Sequence, residues 1–95
     1  MNYEWDIEKA LSNLRQHGVD FRDAIPALED PNRLEQIDDR SDYPEERTQV
    51  IGMSQGAILF VVTTMRGDDL CRIISARKAD RHEQDRYFAG DSEIR

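Results

Sequence analysis

Ninety-five residues, 38% hydrophobic and 35% charged, describe one small domain spanning 1–95, with a modest core and a heavily charged surface. The longest apolar run, Ala57 to Val62, falls far short of the ~18–20 residues of a membrane span, and the Met1–Asp6 start lacks the basic and apolar parts of a secretory signal. A single cysteine, Cys71, excludes an internal disulfide and a cysteine-cluster zinc site, so a cytoplasmic chain with no membrane partner is expected.

Tyr3-Glu4-Trp5 favours an extended segment. Asp6 then serves as N-cap to a helix running to His17, and Gly18 supplies its stop. Ile7, Ala10, Leu11 and Leu14 form one stripe, the face expected to pack inward. Lys9 and Asn13 lie one turn apart on the opposite side, with His17 at the border. Asp20 starts a second helix over Ala24, Ile25 and Leu28, kept short by Pro26 and ended by Asp30-Pro31. Arg33 to Asp38 fits an edge strand, and Asp38 to Glu46 reads as a loop. Three better strands follow: Arg47–Ser54, Ala57–Met65 after a Gln55-Gly56 turn, and Leu70–Ala76 after an Arg66–Asp69 hairpin. The charged stretch Lys78–Tyr87 is expected to be a last helix, with 88–95 a frayed tail. The fold class is α+β: two N-terminal helices, an antiparallel sheet of three to four strands, and a C-terminal helix, all packed in layers.

Most familiar chemistries find no support. The two histidines, His17 and His82, have no metal-ligand spacing, and the glycines are too scattered to cradle a phosphate. Cys71, between Leu70 and Ile73, reads as a buried inert thiol. No metal and no cofactor is indicated. What remains is charge and its distribution. Residues 1–46 hold thirteen acids and five bases, whereas residues 47–95 hold seven acids and eight bases. Arg47, Arg66, Arg72 and Arg77 fall in the strands and their ends, where cross-strand neighbours meet, and guanidinium forks match phosphate oxygens. Surface carboxylates could equally neutralise them. Arg72 stands out, since its strand phase groups it with Leu70 and Ile74, and a charge on an inward phase needs a partner or a task. His17 either closes the first helix against its dipole or supplies acid–base chemistry near neutral pH.

Read together and in order, Tyr3-Glu4-Trp5-Asp6, Lys9, Asn13, His17-Gly18-Val19 with Phe21 and Ala24, Asp30-Pro31, Glu45-Glu46-Arg47, Ile51-Gly52 and Arg72-Ile73-Ile74-Ser75-Ala76-Arg77-Lys78-Ala79 closely resemble the BrnT family of toxins from bacterial type II toxin–antitoxin systems. The likeness spans roughly Tyr3 to Tyr87. It implies a RelE-like fold and a metal-independent endoribonuclease that arrests growth by cutting RNA. It also implies a partner, a BrnA-like ribbon-helix-helix antitoxin that neutralises the toxin and carries it to operator DNA. By the same resemblance the catalytic candidates are Lys9, His17, Glu46, Arg66 and Arg77, with Arg47, Arg72 and Lys78 as RNA-binding candidates. Arg66 and Arg77 would take the phosphate, Lys9 would assist charge, and His17 and Glu46 would share the base and acid roles in an order left open. The acidic first half argues against broad RNA affinity, so the expected substrate is RNA held by further contacts, the ribosome being one setting. Two positions depart from the family pattern: Pro44 where Gly is usual, and Met65 where Glu is usual. They leave an alternative, a catalytically degenerate member that only binds antitoxin.

Overall fold

The computed structural model describes residues 1–38 and 44–90. Along the chain come strand β1 (Asn2–Glu4), helices α1 (Ile7–His17) and α2 (Phe21–Leu28), strands β2 (Leu34–Asp38), β3 (Arg47–Ser54), β4 (Ala57–Met65) and β5 (Leu70–Lys78), and helix α3 (Arg81–Ala89). The architecture is α+β, with a five-stranded sheet of order β1-β5-β4-β3-β2. It is mixed rather than purely antiparallel, because β1 pairs in parallel with β5, setting Asn2, Tyr3 and Glu4 beside Leu70, Cys71 and Arg72. That pairing joins segments far apart in sequence, and no local pattern announces it.

The helix starts follow their caps. Asp6 accepts from the backbone N–H of Glu8 and Lys9, and Asp20 from that of Arg22. Pro26 is tolerated inside α2, which ends two residues later. The β3–β4 turn puts both Gln55 and Gly56 at positive φ, 52° and 81°, the twist that a two-residue hairpin needs. Two boundaries differ from the sequence expectation. Lys78 pairs with Leu59, so β5 runs through Lys78, and the last helix starts only at Arg81. There Asp80 accepts from Glu83 N–H at 2.8 Å while the Glu83 carboxylate accepts from Asp80 N–H at 2.9 Å, a reciprocal cap that fixes the start. At the other end Gly90 closes α3, so Phe88 and Ala89 are helical and not part of a frayed tail. The remainder of that expected tail, 91–95, and positions 39–43 of the expected loop lie outside the described residues.

Two apolar clusters sandwich the sheet. On one face Phe21, Ala24 and Ala27 of α2, with Val19, pack on Leu59, Val61, Ile73 and Ala76. Trp5 meets Phe21 edge-on at 6.1 Å. Gly52 permits this closeness, since a Cβ there would stand 2.2 Å from the carbonyl oxygen of Ala27. Among the described residues the opposite face is covered at one end, where Tyr87 of α3 and the adjacent Ala79 meet Leu34, Ile51 and Ile58. Leu34–Asp38 forms the edge strand expected of that segment.

Helix α1 is turned from its expected orientation. Its buried residue is Asn13, 6% exposed, while Ile7, Leu11 and Leu14 remain 66%, 50% and 42% exposed. The reason is the edge of β5. Beyond the short β1, Ala76 has no strand neighbour on that side among the described residues, and Asn13 takes the place of one. Its amide nitrogen donates to Ala76 O at 2.8 Å and to Val19 O at 3.0 Å, and its oxygen accepts from Ala76 N–H at 3.1 Å. Unmet backbone groups at a covered edge cost more than exposing three aliphatic side chains on a helix surface gains.

Candidate functional site

Residues paired across a sheet project to the same face, so the register tells which side chains meet. On the face that α3 only partly covers, three rungs follow one another. Leu34, Ile51, Phe60 and Arg77 form the first, beneath α3, and Gln36, Gln49, Val62 and Ser75 form the second. The third crosses all five strands as Asp38, Arg47, Thr64, Arg72 and Glu4, with Thr64 falling beside Arg47 one step past the last paired rung, Thr48–Thr63.

Arg72 belongs to this face because β5 carries a bulge. Val62 pairs with Ser75 and Thr63 with Ile73, leaving Ile74 as an extra residue. The strand phase therefore changes between Arg72 and Ser75. Strict alternation would have put Arg72 and Arg77 on opposite faces; the bulge puts them on one. Leu70, Arg72 and Ile74 keep one phase, half-buried between the buried Cys71 and Ile73, but the side that Arg72 faces is the polar one and not the core that an inward phase would imply.

The charged end of this face is organised by Glu4. Its Oε2 accepts from Arg72 Nη1 at 3.0 Å and stands 4.0 Å from Arg66 Nε. Arg47 lies 3.6 Å from the Glu45 carboxylate. At the end under α3, Arg77 makes a two-pronged pair with Glu83, at 2.8 and 2.9 Å, and its guanidinium lies 4.2 Å above the Phe60 ring. The Glu83 bonds raise the Arg77 guanidinium above its usual pKa, so it is charged throughout the working range.

The other candidates are spread around this core. Lys9 is exposed on α1, one turn before Asn13, and His17 is exposed at the end of that helix; neither side chain has a partner among the described residues. Glu46 is exposed just before β3, and its backbone carbonyl, not its carboxylate, is engaged, by the Thr64 hydroxyl at 2.7 Å. Lys78 ends β5 opposite Leu59, a phase away from Arg77. Four arginines thus come to one face, while Lys9, His17, Glu46 and Lys78 stand at its margins or beyond. Met65 pairs with Cys71, on the helix-covered side and away from the arginines. Cys71 is buried, and burial pushes its thiol pKa up, against any nucleophilic role.

Sequence reasoning did not pick out Glu4, Thr64, Ser75, Gln49 or Glu83 as parts of this face. Glu83 was within reach, since Asp80 and Glu83 have capping-box spacing. Glu4 was not, because its partner is 68 residues away across a parallel pair. Among the described residues no cluster of three or more His, Cys, Asp or Glu side chains is arranged to hold a metal, and no helix is long and apolar enough to cross a membrane.

Comparison with known proteins gives this geometry a context. No curated protein sequence matches the chain significantly. Among solved structures, the crystal structure of the Brucella abortus ribonuclease toxin BrnT superposes with a TM-score of 0.62 at 26% identity, covering 85% of this chain and 99% of that one. The family model described as the ribonuclease toxin, BrnT, of type II toxin–antitoxin systems matches residues 5–83. With most of its length matched, from Trp5 through β5 into α3, the chain belongs to the BrnT family of ribonuclease toxins.

Proposed function

We propose that this protein is the toxin of a type II pair and cleaves RNA on the arginine-bearing face of its sheet, without a metal. The observation that carries the reading is the convergence of Arg47, Arg66, Arg72 and Arg77 on one face, with Arg72 brought there by a bulge. The 2′-hydroxyl attacks the adjacent phosphorus, its proton passes to a base, and the P–O5′ bond breaks as that oxygen gains a proton. The products are a 2′,3′-cyclic phosphate and a 5′-hydroxyl. Arg66, Arg72 and Arg77 neutralise the pentacoordinate phosphorus, which carries more negative charge than the diester, and this is where fixed donors help most. Arg47 and Lys78 guide the flanking strand, Lys9 adds positive charge, and His17 and Glu46 supply the proton acceptor and donor.

The partner in this reading is a BrnA-like ribbon-helix-helix antitoxin, through which the toxin reaches operator DNA. The acidic first half of the chain suits a basic antitoxin segment and makes their association rate fall with salt. The same acidity fits an RNA presented by another particle, the ribosome included, better than free RNA of any sequence. The chain works in the cytoplasm as a single domain and arrests growth.

A second reading has one observation in its favour. Glu4, Glu45 and Glu83 already neutralise Arg72, Arg47 and Arg77, which suits a degenerate member that only binds antitoxin. One assay separates the two. Antitoxin-free protein is incubated with long RNA in excess chelator, alone and with translating ribosomes. The ribonuclease reading predicts fragments with cyclic phosphate ends, and about 100-fold slower cutting by Arg77→Ala and Lys9→Ala. Intact RNA in both settings, from folded wild type, leaves the antitoxin-binding module.

A further inference from the structure

Glu4 is an oddity on a face meant for anions. It places a carboxylate between two guanidiniums where a phosphate would gain from having neither neutralised. A pair this exposed adds little to stability, so burial energetics do not explain it. Its placement is more informative. Glu4 comes from β1, Arg72 from β5 and Arg66 from the hairpin joining β4 to β5, and one carboxylate oxygen serves both. The parallel register sets the Cα of Glu4 directly beside that of Arg72, so the contact follows from the sheet itself and not from a wandering surface side chain. Only Nη1 of Arg72 is engaged, and among the described residues the rest of its donor fork has no side-chain partner.

We infer that Glu4 is a positioning residue, fixing the Arg72 guanidinium, and more loosely that of Arg66, so that their remaining N–H groups face the reacting phosphate. This rests on the ribonuclease reading for its catalytic consequence. An unpinned arginine samples many rotamers, and the entropy of fixing it would then be lost during the reaction. Glu4 removes that loss in advance, at the expense of some attraction for RNA. The two effects have opposite signs, and that makes them separable.

The test compares wild type, Glu4→Ala, Glu4→Gln, Arg72→Ala and the Glu4→Ala/Arg72→Ala double variant. Single-turnover cleavage and affinity for an all-2′-deoxy oligonucleotide are measured in one buffer. The Nε–H signal of Arg72 is followed by NMR in the free protein, assigned by its loss in Arg72→Ala. Glu4→Ala is expected to slow cleavage about 10–100-fold while binding the deoxy-oligonucleotide as tightly as wild type or more tightly. Glu4→Gln, which keeps the acceptor without the charge, recovers about half of that loss on a logarithmic scale. In the Arg72→Ala background the Glu4 effect shrinks to near nothing. The Arg72 signal moves to its free-chain position in Glu4→Ala. An unmoved Arg72 signal, cleavage at the wild-type rate in Glu4→Ala, or equal losses with and without Arg72 overturns the proposal. Should wild type not cut RNA at all, the ribonuclease reading falls, and the NMR comparison still decides whether Glu4 holds Arg72.

Discussion

Phe21 and Arg72 lie on opposite faces of one sheet, and the interactions around them differ in kind. Around Phe21, two helices meet three strands through aliphatic and aromatic contacts, close enough that Gly52 must lack a side chain. Around Arg72 the floor is polar, its charges are paired by Glu4 and Glu45, and among the described residues the covering helix, α3, reaches only the far end. Even α3 is fastened largely by polar links, Tyr87 to Asp30 at 2.5 Å and Arg77 to Glu83. One face supplies the stability that lets the other carry charge which contributes little to folding.

Substitutions on the two faces should therefore report in different measurements. Largest is Phe21→Ala, expected to cost about 3–5 kcal/mol from its fully buried site, read as a denaturant midpoint shift. An equal loss from Arg72→Ala would erase the contrast. Next is Asn13→Ala, which strands the N–H and C=O of Ala76 and should cost about 2 kcal/mol despite replacing a polar residue on a helix. A neutral outcome would mean that water serves the β5 edge as well as the amide does.

The smallest effect concerns the polar fastening of α3. Tyr87→Phe should cost about 1 kcal/mol at neutral pH. It also carries a pH signature. The bond to Asp30, with burial, pushes the Tyr87 phenol up to about 12 from its usual 10.0. A pKa raised by folding contributes stability that is complete below the unfolded value and is lost as pH rises through the folded one. Stability of the wild type should thus fall between about 10 and 12, and Tyr87→Phe should lose part of that slope. Part remains, because burial, with the bond it donates to Glu29, pushes Tyr3 up to about 12 as well. Alkaline melting curves of the two proteins check this directly.

Local chemistry made much of this readable beforehand. Asp6, Asp20, Gly18 and the Gln55-Gly56 turn lie where their backbone preferences put them, and β4 spans Ala57–Met65 as its apolar run implies. Apart from the ends of α3, which the Asp80–Glu83 box and Gly90 fix locally, what was misjudged depends on a partner distant in sequence. Asn13 looked like a solvent-facing residue because the apolar stripe of α1 pointed the other way, and only the unpaired edge of β5 reverses that. Arg72 was read as inward because Leu70 and Ile74 flank it in phase, whereas its side of β5 is the polar face; the bulge that brings Arg77 to that face leaves no trace in a two-residue count. For the arginine face, residue types were legible but not their convergence, since strand phase decides it. What brought Lys9, His17 and Glu46 forward was family likeness, and their roles rest on the proposed chemistry.

Asn13 has a consequence for how copies of this chain can meet. A sheet grows into an open-ended array when both of its edges offer unpaired backbone. Here one flank ends in a three-residue strand and is then closed by a helix whose amide imitates a peptide group. The other flank ends in β2, which has no strand beyond it among the described residues and exposes Ile37. Among the described residues β2, five residues long against the three of β1, is thus the edge where an added strand would find most backbone to pair with.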